Sequence, residues 1–519
     1  MGTRMARAGA GEPIAVPARP MACRWHAARG RKLLAIGLGC LLAGGCSLEG
    51  PLPDLAIPIP TAYRASAPAP APPPPIDWPN LFRSKELTAL VVEAEYQNLD
   101  IAVAVARIAQ ADAQASIDAA GLYPTLTGDA NAERTHSAGT ARSKKPPFRS
   151  TSSNLFSFGL TASYEIDFWG KNYAAAEAGN LLAEASRFDR DVVALSTIAT
   201  LVTDYLLVLG AQDRLRIAHE NIRTAERVLD AIKARLSVGT ATALDVAQQE
   251  SVVATQRATV PPLEQQLLQT KNLIAILLGR TPESLTVVGG SLDRLAIPRV
   301  RPGLPSQLLL RRPDIAEAEA QVAAQNESVA SARAAMFPNI SLTAQGGFES
   351  LLLKTLLRPE AATASLAAGI TQPILDGYSL EGQFELQKGK LSEFLQTYRK
   401  AVISAFSDVE NALVAVQQTT EHERLQVLAV TASKRAQDIT EARLREGTID
   451  VTTLLQTELT LFQAEDELSQ VRLQKLQAYV SLFQALGGGY TPQVDPQPPL
   501  DISVKPFIPV PVTALSPTP

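Results

Sequence analysis

Cysteine is nearly absent: Cys23, Cys40 and Cys46 are the only three in 519 residues, and none lies beyond position 46. A disulfide framework across the body of the chain is therefore excluded. The four histidines, His26, His136, His219 and His422, are scattered. No cysteine or histidine pair has metal-ligand spacing and no glycine-rich phosphate loop occurs, so no catalytic constellation, metal centre or cofactor site is expected, and the chain does not read as an enzyme. Aromatics make up only 5% of residues, and the formal net charge of −4 leaves no basic footprint for nucleic acid. No run of ~18 uninterrupted apolar residues occurs beyond the N-terminus, so a helical membrane anchor is not expected. What fills the chain is alanine, leucine, glutamine and charged residues, the composition of long helices packed on one another.

The N-terminus carries a targeting pattern. Arg24, Arg29, Arg31 and Lys32 form a positive region, residues 33–42 an apolar one, and Ala43-Gly44-Gly45-Cys46 a small-residue site ending in cysteine. That pattern resembles a bacterial lipobox, with residues 1–45 as signal peptide and Cys46 as the lipidated residue; Cys40 is the weaker competitor. Small residues admit the peptidase and the thiol takes the diacylglycerol. Ser47 in place of aspartate favours delivery to the outer membrane. Met21 gives a more ordinary signal length than Met1, and a plain secretory signal is the alternative. The removed stretch holds seven Lys/Arg and one Glu, so cleavage takes the net charge from −4 to −10 and leaves Cys46 as the sole cysteine.

Residues 46–80 form a proline-rich linker and residues 491–519 a tail of the same character, both favouring extended polyproline II. Between them lies an internal repeat. Residues 100–124 align without a gap on 314–338, matching Asp100 with Asp314, Ile101 with Ile315 and Pro124 with Pro338. Further on, Arg235-Leu236 and Gly239-Thr240 match Arg443-Leu444 and Gly447-Thr448, Gln248 and Glu250 match Gln456 and Glu458, and Leu278-Gly279 matches Leu486-Gly487. The body divides into two copies of one unit, 81–290 and 291–490.

Each copy reads as a helix, two strands, a very long helix, a turn and a returning helix. Residues 171–236 lack proline, hold only Gly179 and Gly210 as weak points, and repeat apolar residues every three or four positions. About 65 helical residues span about 100 Å. Residues 380–444 repeat the pattern. The returning helices, 243–278 and 451–486, close antiparallel pairs; Pro261-Pro262 must interrupt the first, whereas Ser469-Gln470 leave the second continuous.

The strands decide the class. In 154–168, Phe156, Phe158, Leu160, Ala162, Tyr164, Ile166 and Phe168 alternate with Ser157, Gly159, Thr161, Ser163, Glu165 and Asp167. Residues 338–348 do the same, and 126–133 and 366–374 are weaker versions. About ten residues at ~3.3 Å, tilted ~45°, cross an outer membrane with one face toward lipid and one toward water. Asp129, Glu133, Glu165 and Asp167 are the expected lumen-facing charges. Lys144, Lys145 and Arg149 form the tip between the first two strands. A half-buried soluble sheet explains one such strand, but not four in two hairpins joined to outsized helices. Four strands cannot close a barrel, and open edges are not tolerated in lipid. Three chains would supply about twelve strands, enough for one closed barrel.

Gly303-Leu304-Pro305-Ser306, Leu308-Leu309 and Arg311-Arg312-Pro313-Asp314-Ile315 resemble the mid-chain signature of the nodulation-type lipoprotein branch of TolC-like outer-membrane efflux proteins, over about residues 80–490. The resemblance implies a mainly helical fold with a small β part: a homotrimeric β-barrel in the outer membrane lipid, continued by a periplasmic α-barrel. It also implies a periplasmic adaptor protein and an inner-membrane resistance-nodulation-division pump as partners, with no cofactor. The turns Val238-Gly239-Thr240 and Gly447-Thr448 are then the adaptor-docking tips. Asp245 stands where the family has an acidic gate residue, while Thr453 and Gln456 replace two others, leaving Asp450, Arg445 and Glu446 as substitutes. Asp245 and Asp450 have a second reading as helix caps. A duct for type I protein secretion and a non-transporting periplasmic coiled coil are the alternative functions.

Overall fold

The computed structural model describes residues 53–64, 72, 74–138, 151–298 and 300–490, all within the unit Ser47–Pro519. The signal segment with Cys46, the tip cations Lys144, Lys145 and Arg149, and the tail 491–519 lie outside the described residues.

Eight helices carry the body: α1 (Lys85–Gln97), α2 (Leu99–Asp118), α3 (Lys171–Ser237), α4 (Ala243–Ala258), α5 (Val260–Leu277), α6 (Pro313–Ala334), α7 (Ser379–Arg445) and α8 (Val451–Ala485). Four strands lie between them: β1 (Thr125–Ser137), β2 (Thr151–Ile166), β3 (Asn339–Ser350) and β4 (Ala362–Thr371). The two copies correspond element by element, α2-β1-β2-α3 to α6-β3-β4-α7. At 67 residues each, α3 and α7 run for about 100 Å.

The expected break in the first returning helix is present and sits slightly earlier than the prolines. α4 ends at Ala258, Thr259 bridges, and α5 restarts with Pro261 and Pro262 in its first turn. First-turn amides have no intrahelical acceptor, so prolines there lose nothing. α8 is continuous, as its lack of proline permits.

Near the sheet the helices lie side by side in the order α2, α3, α6, α7; further along the order is α4 and α5, α3, α8, α7. Among the described residues α3 packs against α2, α4, α5, α6 and α8, whereas the long helices beside α7 are only α6 and α8, with the linker bonded to it through Asp54 O–Arg399 and Arg64 N–Glu410. α3 buries 23 of its residues and α7 only eight, although both have the same length. Gly179 lets α2 approach α3 closely, because a Cβ there would stand 3.1 Å from the Ala115 Cα and 2.8 Å from Asp118 Oδ2.

α3 does contain a window of mean hydropathy 2.0, apolar enough by composition to cross a membrane. Half of that window is buried within the chain. In α3, Leu201, Val202, Leu206 and Leu209 pack with Trp78, Phe82, Leu87, Ile274, Val480 and Phe483 in the first of three apolar clusters. The window's hydropathy is thus that of a core helix.

Part of the linker is also built into the body. Trp78 is 1% exposed and stacks on Phe483 with centroids 4.9 Å apart, and Tyr63 is buried with Leu308, Ile315 and Val402 in the second cluster. The boundary expected at residue 80 cuts through this packing, because two aromatics within the proline-rich stretch find apolar partners.

The strands form one antiparallel sheet in the order β1-β2-β3-β4. β2 stops at Ile166, so Phe168 falls outside it. β4 begins at Ala362 and ends at Thr371, earlier than the expected 366–374, because its alanine-rich start is held by pairing with β3 and Pro373 cannot continue the ladder.

Register places Leu126, Ala130, Phe156, Phe158, Leu160, Ala162, Tyr164, Ile166, Ile340, Leu342, Ala344, Phe348, Leu366 and Ile370 on one face. Thr127, Asp129, Asn131, Glu133, Ser157, Thr161, Ser163, Glu165, Ser341, Thr343, Gln345 and Ser365 occupy the other. The apolar run of β2 from Phe156 to Ile166, at ~3.3 Å per residue and ~45° tilt, rises about 25 Å, the height of an outer-membrane apolar band. β1 and β4 are the outer strands, and every residue of β4 is exposed. Where the sheet meets the helices, Trp169 stacks on Phe337 at 4.8 Å, meets Phe168 edge-on at 4.9 Å, and donates from Nε1 to the Pro338 carbonyl at 2.9 Å. Aromatics that keep a polar handle at one border of an apolar band are the composition of a membrane interface.

Candidate functional site

At the ends of the helical hairpins farthest along the chain from the sheet, two turns of one geometry reverse the direction of the backbone. Gly239 and Gly447 take φ of 78° and 71°, the left-handed region that glycine enters without cost. The Thr240 amide donates to Arg235 O at 2.9 Å and the Gly239 amide to Leu236 O at 3.0 Å; Thr448 and Gly447 do the same to Arg443 O and Leu444 O, each at 3.0 Å. Both are Schellman closures, which satisfy the last carbonyls of a helix. The threonine hydroxyls add a second bond to the Arg235 and Arg443 carbonyls, each at 3.1 Å. Val238 is left 73% exposed at the first tip.

The acidic residues of the tips start the returning helices. Asp245 closes a capping box: its Oδ2 accepts from the Thr242 amide at 2.7 Å, while its own amide donates to Thr242 Oγ1 at 3.2 Å. Asp450 caps α8, its Oδ1 accepting from the Thr453 hydroxyl at 2.7 Å and the Thr453 amide at 2.9 Å. Those two bonds, hydroxyl first, hold the Asp450 carboxyl below the usual carboxylate range. Arg445 is ion-paired with Glu441 one turn back, and Glu446 is exposed at the C-cap of α7. Both aspartates therefore spend their hydrogen bonds on capping the returning helices.

What joins the two tips is different. Arg235 Nη1 donates to the Leu444 carbonyl at 2.7 Å across the hairpins. Beneath it Ile232, Val252, Val253, Leu444, Val451, Leu454, Leu455 and Phe462 make the third apolar cluster. Inside that contact Gln249 and Glu458 are both 0% exposed. Gln249 Nε2 donates to Ala225 O at 2.9 Å and to Glu458 Oε2 at 3.4 Å. None of these links was among the expected site residues. A signal for Glu458 exists, since it sits in the stripe Leu454, Leu455, Leu461, Phe462 at helical spacing.

Of the charges expected on the water-facing side of the sheet, Asp129 pairs opposite Gly159, Glu133 opposite Leu155 and Glu165 opposite Ser341, all on the polar face. Glu165 is ion-paired with Lys171 at the start of α3. Asp167 is not on a strand: it lies one residue past β2 and accepts from the Tyr173 amide at 2.7 Å, closing the first turn of α3. Among the described residues no group of three or more His, Cys, Asp or Glu side chains could hold a metal ion.

A four-stranded sheet with one apolar face, one polar face and two edges unpaired among the described residues, continued by helices several times longer than a globular core needs, is a sector of a membrane-crossing tube wall. The model of the outer membrane efflux protein family matches the chain twice, over residues 90–280 and 304–488, once per repeat. The chain belongs to that family, whose members reside in the outer membrane with a large periplasmic part. The pyoverdine export outer membrane protein OpmQ of Pseudomonas aeruginosa is 37% identical over 469 residues, covering 88% of this chain and 97% of that protein. The cation efflux system protein CusC of Escherichia coli K12 is 28% identical over 469 residues, covering 88% and 99%. Among solved structures, the open state of the MtrE outer membrane channel of Neisseria gonorrhoeae superposes with a TM-score of 0.78 at 27% identity, covering 86% of this chain and 99% of that one.

Proposed function

We propose that three copies of this chain close into one tube that serves as the outer-membrane duct of a tripartite efflux system, carrying drugs or other small toxic compounds to the exterior. The observation that carries this reading is the open sheet. Among the described residues the outer edges of β1 and β4 have no partner strand, yet an apolar face of about 25 Å belongs in lipid, where unpaired backbone groups cost several kcal/mol each. Pairing β4 of one copy with β1 of the next removes every edge. The same closure brings α7 against α2, α4 and α5 of its neighbour. That step covers Ile403, Leu425 and Leu428 on α7 and Val103, Leu268 and Ile276 on the facing helices, all now exposed.

In this reading the polar face with Asp129, Glu133 and Glu165 lines the lumen, and the six tips per trimer narrow its inner end. The exposed turns at Val238-Gly239-Thr240 and Gly447-Thr448 offer the docking surface for a periplasmic adaptor, itself coupled to an inner-membrane resistance-nodulation-division pump. Conduction, not catalysis, is the activity. Asp245 and Asp450, with Arg445 and Glu446, add charge to the narrow end while capping the returning helices.

Asparagine caps a helix as well as aspartate but carries no charge. Asp245→Asn combined with Asp450→Asn is therefore expected to raise single-channel conductance in planar bilayers and to sensitise cells to large antibiotics, at unchanged melting temperature. Unchanged conductance in that variant, with loss of stability only when alanine replaces both aspartates, would reduce the pair to caps.

Lipid attachment at Cys46 completes the proposal. Cys46→Ala is expected to lose metabolic palmitate label and to accumulate as precursor; label that persists in the variant would remove the lipobox assignment. Efflux should fall only partly once the variant is exported by another signal, because the barrel also holds the chain in the membrane.

A further inference from the structure

The two hairpins meet through a buried acid that has too many acceptors around it. Gln249 on α4 and Glu458 on α8 are fully enclosed, and two of their oxygens, Gln249 Oε1 and Glu458 Oε1, are buried with no hydrogen-bond partner. The only contact between the side chains runs one way, Gln249 Nε2 to Glu458 Oε2 at 3.4 Å. An unpaired buried acceptor costs about 1–3 kcal/mol, and an ionised carboxylate in apolar surroundings costs more. The surroundings are apolar: Val252, Val253, Leu454, Leu455, Leu461 and Phe462 are all buried nearby.

One proton answers both orphans. A carboxylic acid and a primary amide form a two-bond ring in which the amide N–H donates to one carboxyl oxygen and the acid O–H donates to the amide oxygen. We propose that Glu458 is kept as a neutral acid in such a ring with Gln249, and that this ring is the clasp holding the first hairpin against the second when the tips are closed.

Three observations support the clasp. Its members come from the two different hairpins, 209 residues apart, so the ring exists only while the hairpins touch. Gln249 Nε2 is also anchored on the Ala225 carbonyl of α3 at 2.9 Å, which fixes the amide's orientation. Burial, foremost, pushes the Glu458 carboxyl up to about 7, with the Gln249 hydrogen bond opposing. The charged groups that face it are Glu441 of α7, which also raises it, and Arg227 of α3, which lowers it. Glu441 is itself ion-paired with Arg445, and on the first hairpin Lys233 pairs with Glu250 and Arg257 with Glu226. The matching residue of the first copy, Glu250, is exposed and salt-bridged, so each chain holds one clasp rather than two.

The sign follows from the raised value. Packing that favours the protonated form is fully present below the ordinary glutamate range and is lost as pH rises through about 7. Acid therefore closes the clasp and alkali loosens it, which makes the hairpin contact responsive to proton concentration on the periplasmic side.

This inference rests on the proposed duct only for its conductance readout. Glu458→Gln preserves the shape and supplies a permanent N–H in place of the acid O–H. Infrared spectra of the purified protein at about pH 6 should show a protonated-carboxyl stretch that is missing from Glu458→Gln. In planar bilayers the wild-type conductance should rise severalfold between about pH 5 and about pH 9, while Glu458→Gln stays at the low value throughout. Limited proteolysis of the tips should follow the same two patterns, whether or not the protein conducts. Absence of the carboxyl band, or a Glu458→Gln variant that tracks the wild-type pH curve in proteolysis, would overturn the clasp. A protein that never conducts but keeps both signatures would instead remove the duct and leave the clasp standing.

Discussion

Leu160→Arg is expected to abolish assembly of the trimer, whereas Thr161→Arg, one residue on, leaves it intact. Leu160 lies midway along the apolar run of β2, opposite Gly128 and Gly346, and half of its surface is open. A guanidinium there would face hydrocarbon at a cost of about 2–4 kcal/mol in each chain, and a closed barrel contains three such positions. Thr161 sits between Thr127 and Gln345 on the polar face, where a guanidinium meets water and alters ion selectivity instead. Native mass spectrometry of detergent-purified protein distinguishes the cases: wild type and Thr161→Arg run as trimers and Leu160→Arg does not. Equal behaviour of the two arginine variants would mean that the faces do not divide lipid from lumen, and a wild-type monomer would undo the closure argument.

A loss of similar size is expected far from the membrane. Trp78→Ala removes a ring that stacks on Phe483 with an interplanar angle of 15° and meets Phe82 edge-on at 6.3 Å. Truncating a fully buried tryptophan costs about 3–5 kcal/mol, because the cavity is only partly refilled. A denaturant melt should register most of that loss. A change below about 0.5 kcal/mol, the size typical of surface substitutions, would show that the segment before α1 is a detachable strap and not a part of the core.

The long helices were legible because nothing in them competes with helix. α3 and α7 match the periodic stretches to within one residue at either end, where Gly170 and Gly239 on one side and Gly447 on the other set the limits. β2 was legible from its alternation. β4 was not placed well, since Ala362, Ala364, Ala367 and Ala368 give neither face a hydropathy signal and only pairing with β3 defines it. Asp167 follows the alternation of β2 in sequence but belongs to the turn after it, where an amide needs an acceptor. At the tips, Thr-x-x-Asp before α4 announces its capping box. The Arg235–Leu444 and Gln249–Glu458 links are invisible to any local pattern, because each joins residues 209 positions apart that meet only when two hairpins pack side by side.

The equal length of α3 and α7, 67 residues each, constrains how such a chain can change over generations. Each residue added to one helix advances its tip by about 1.5 Å and turns it by about 100°. A lengthening confined to one copy would set alternate tips at two levels and swing one glycine turn away from the common rim. Insertions and deletions in these helices must therefore arrive in matched pairs, in both halves of the chain and in whole numbers of near-repeating turns. A gene of this kind keeps the symmetry of its duplication by length long after its two halves have diverged in residue identity.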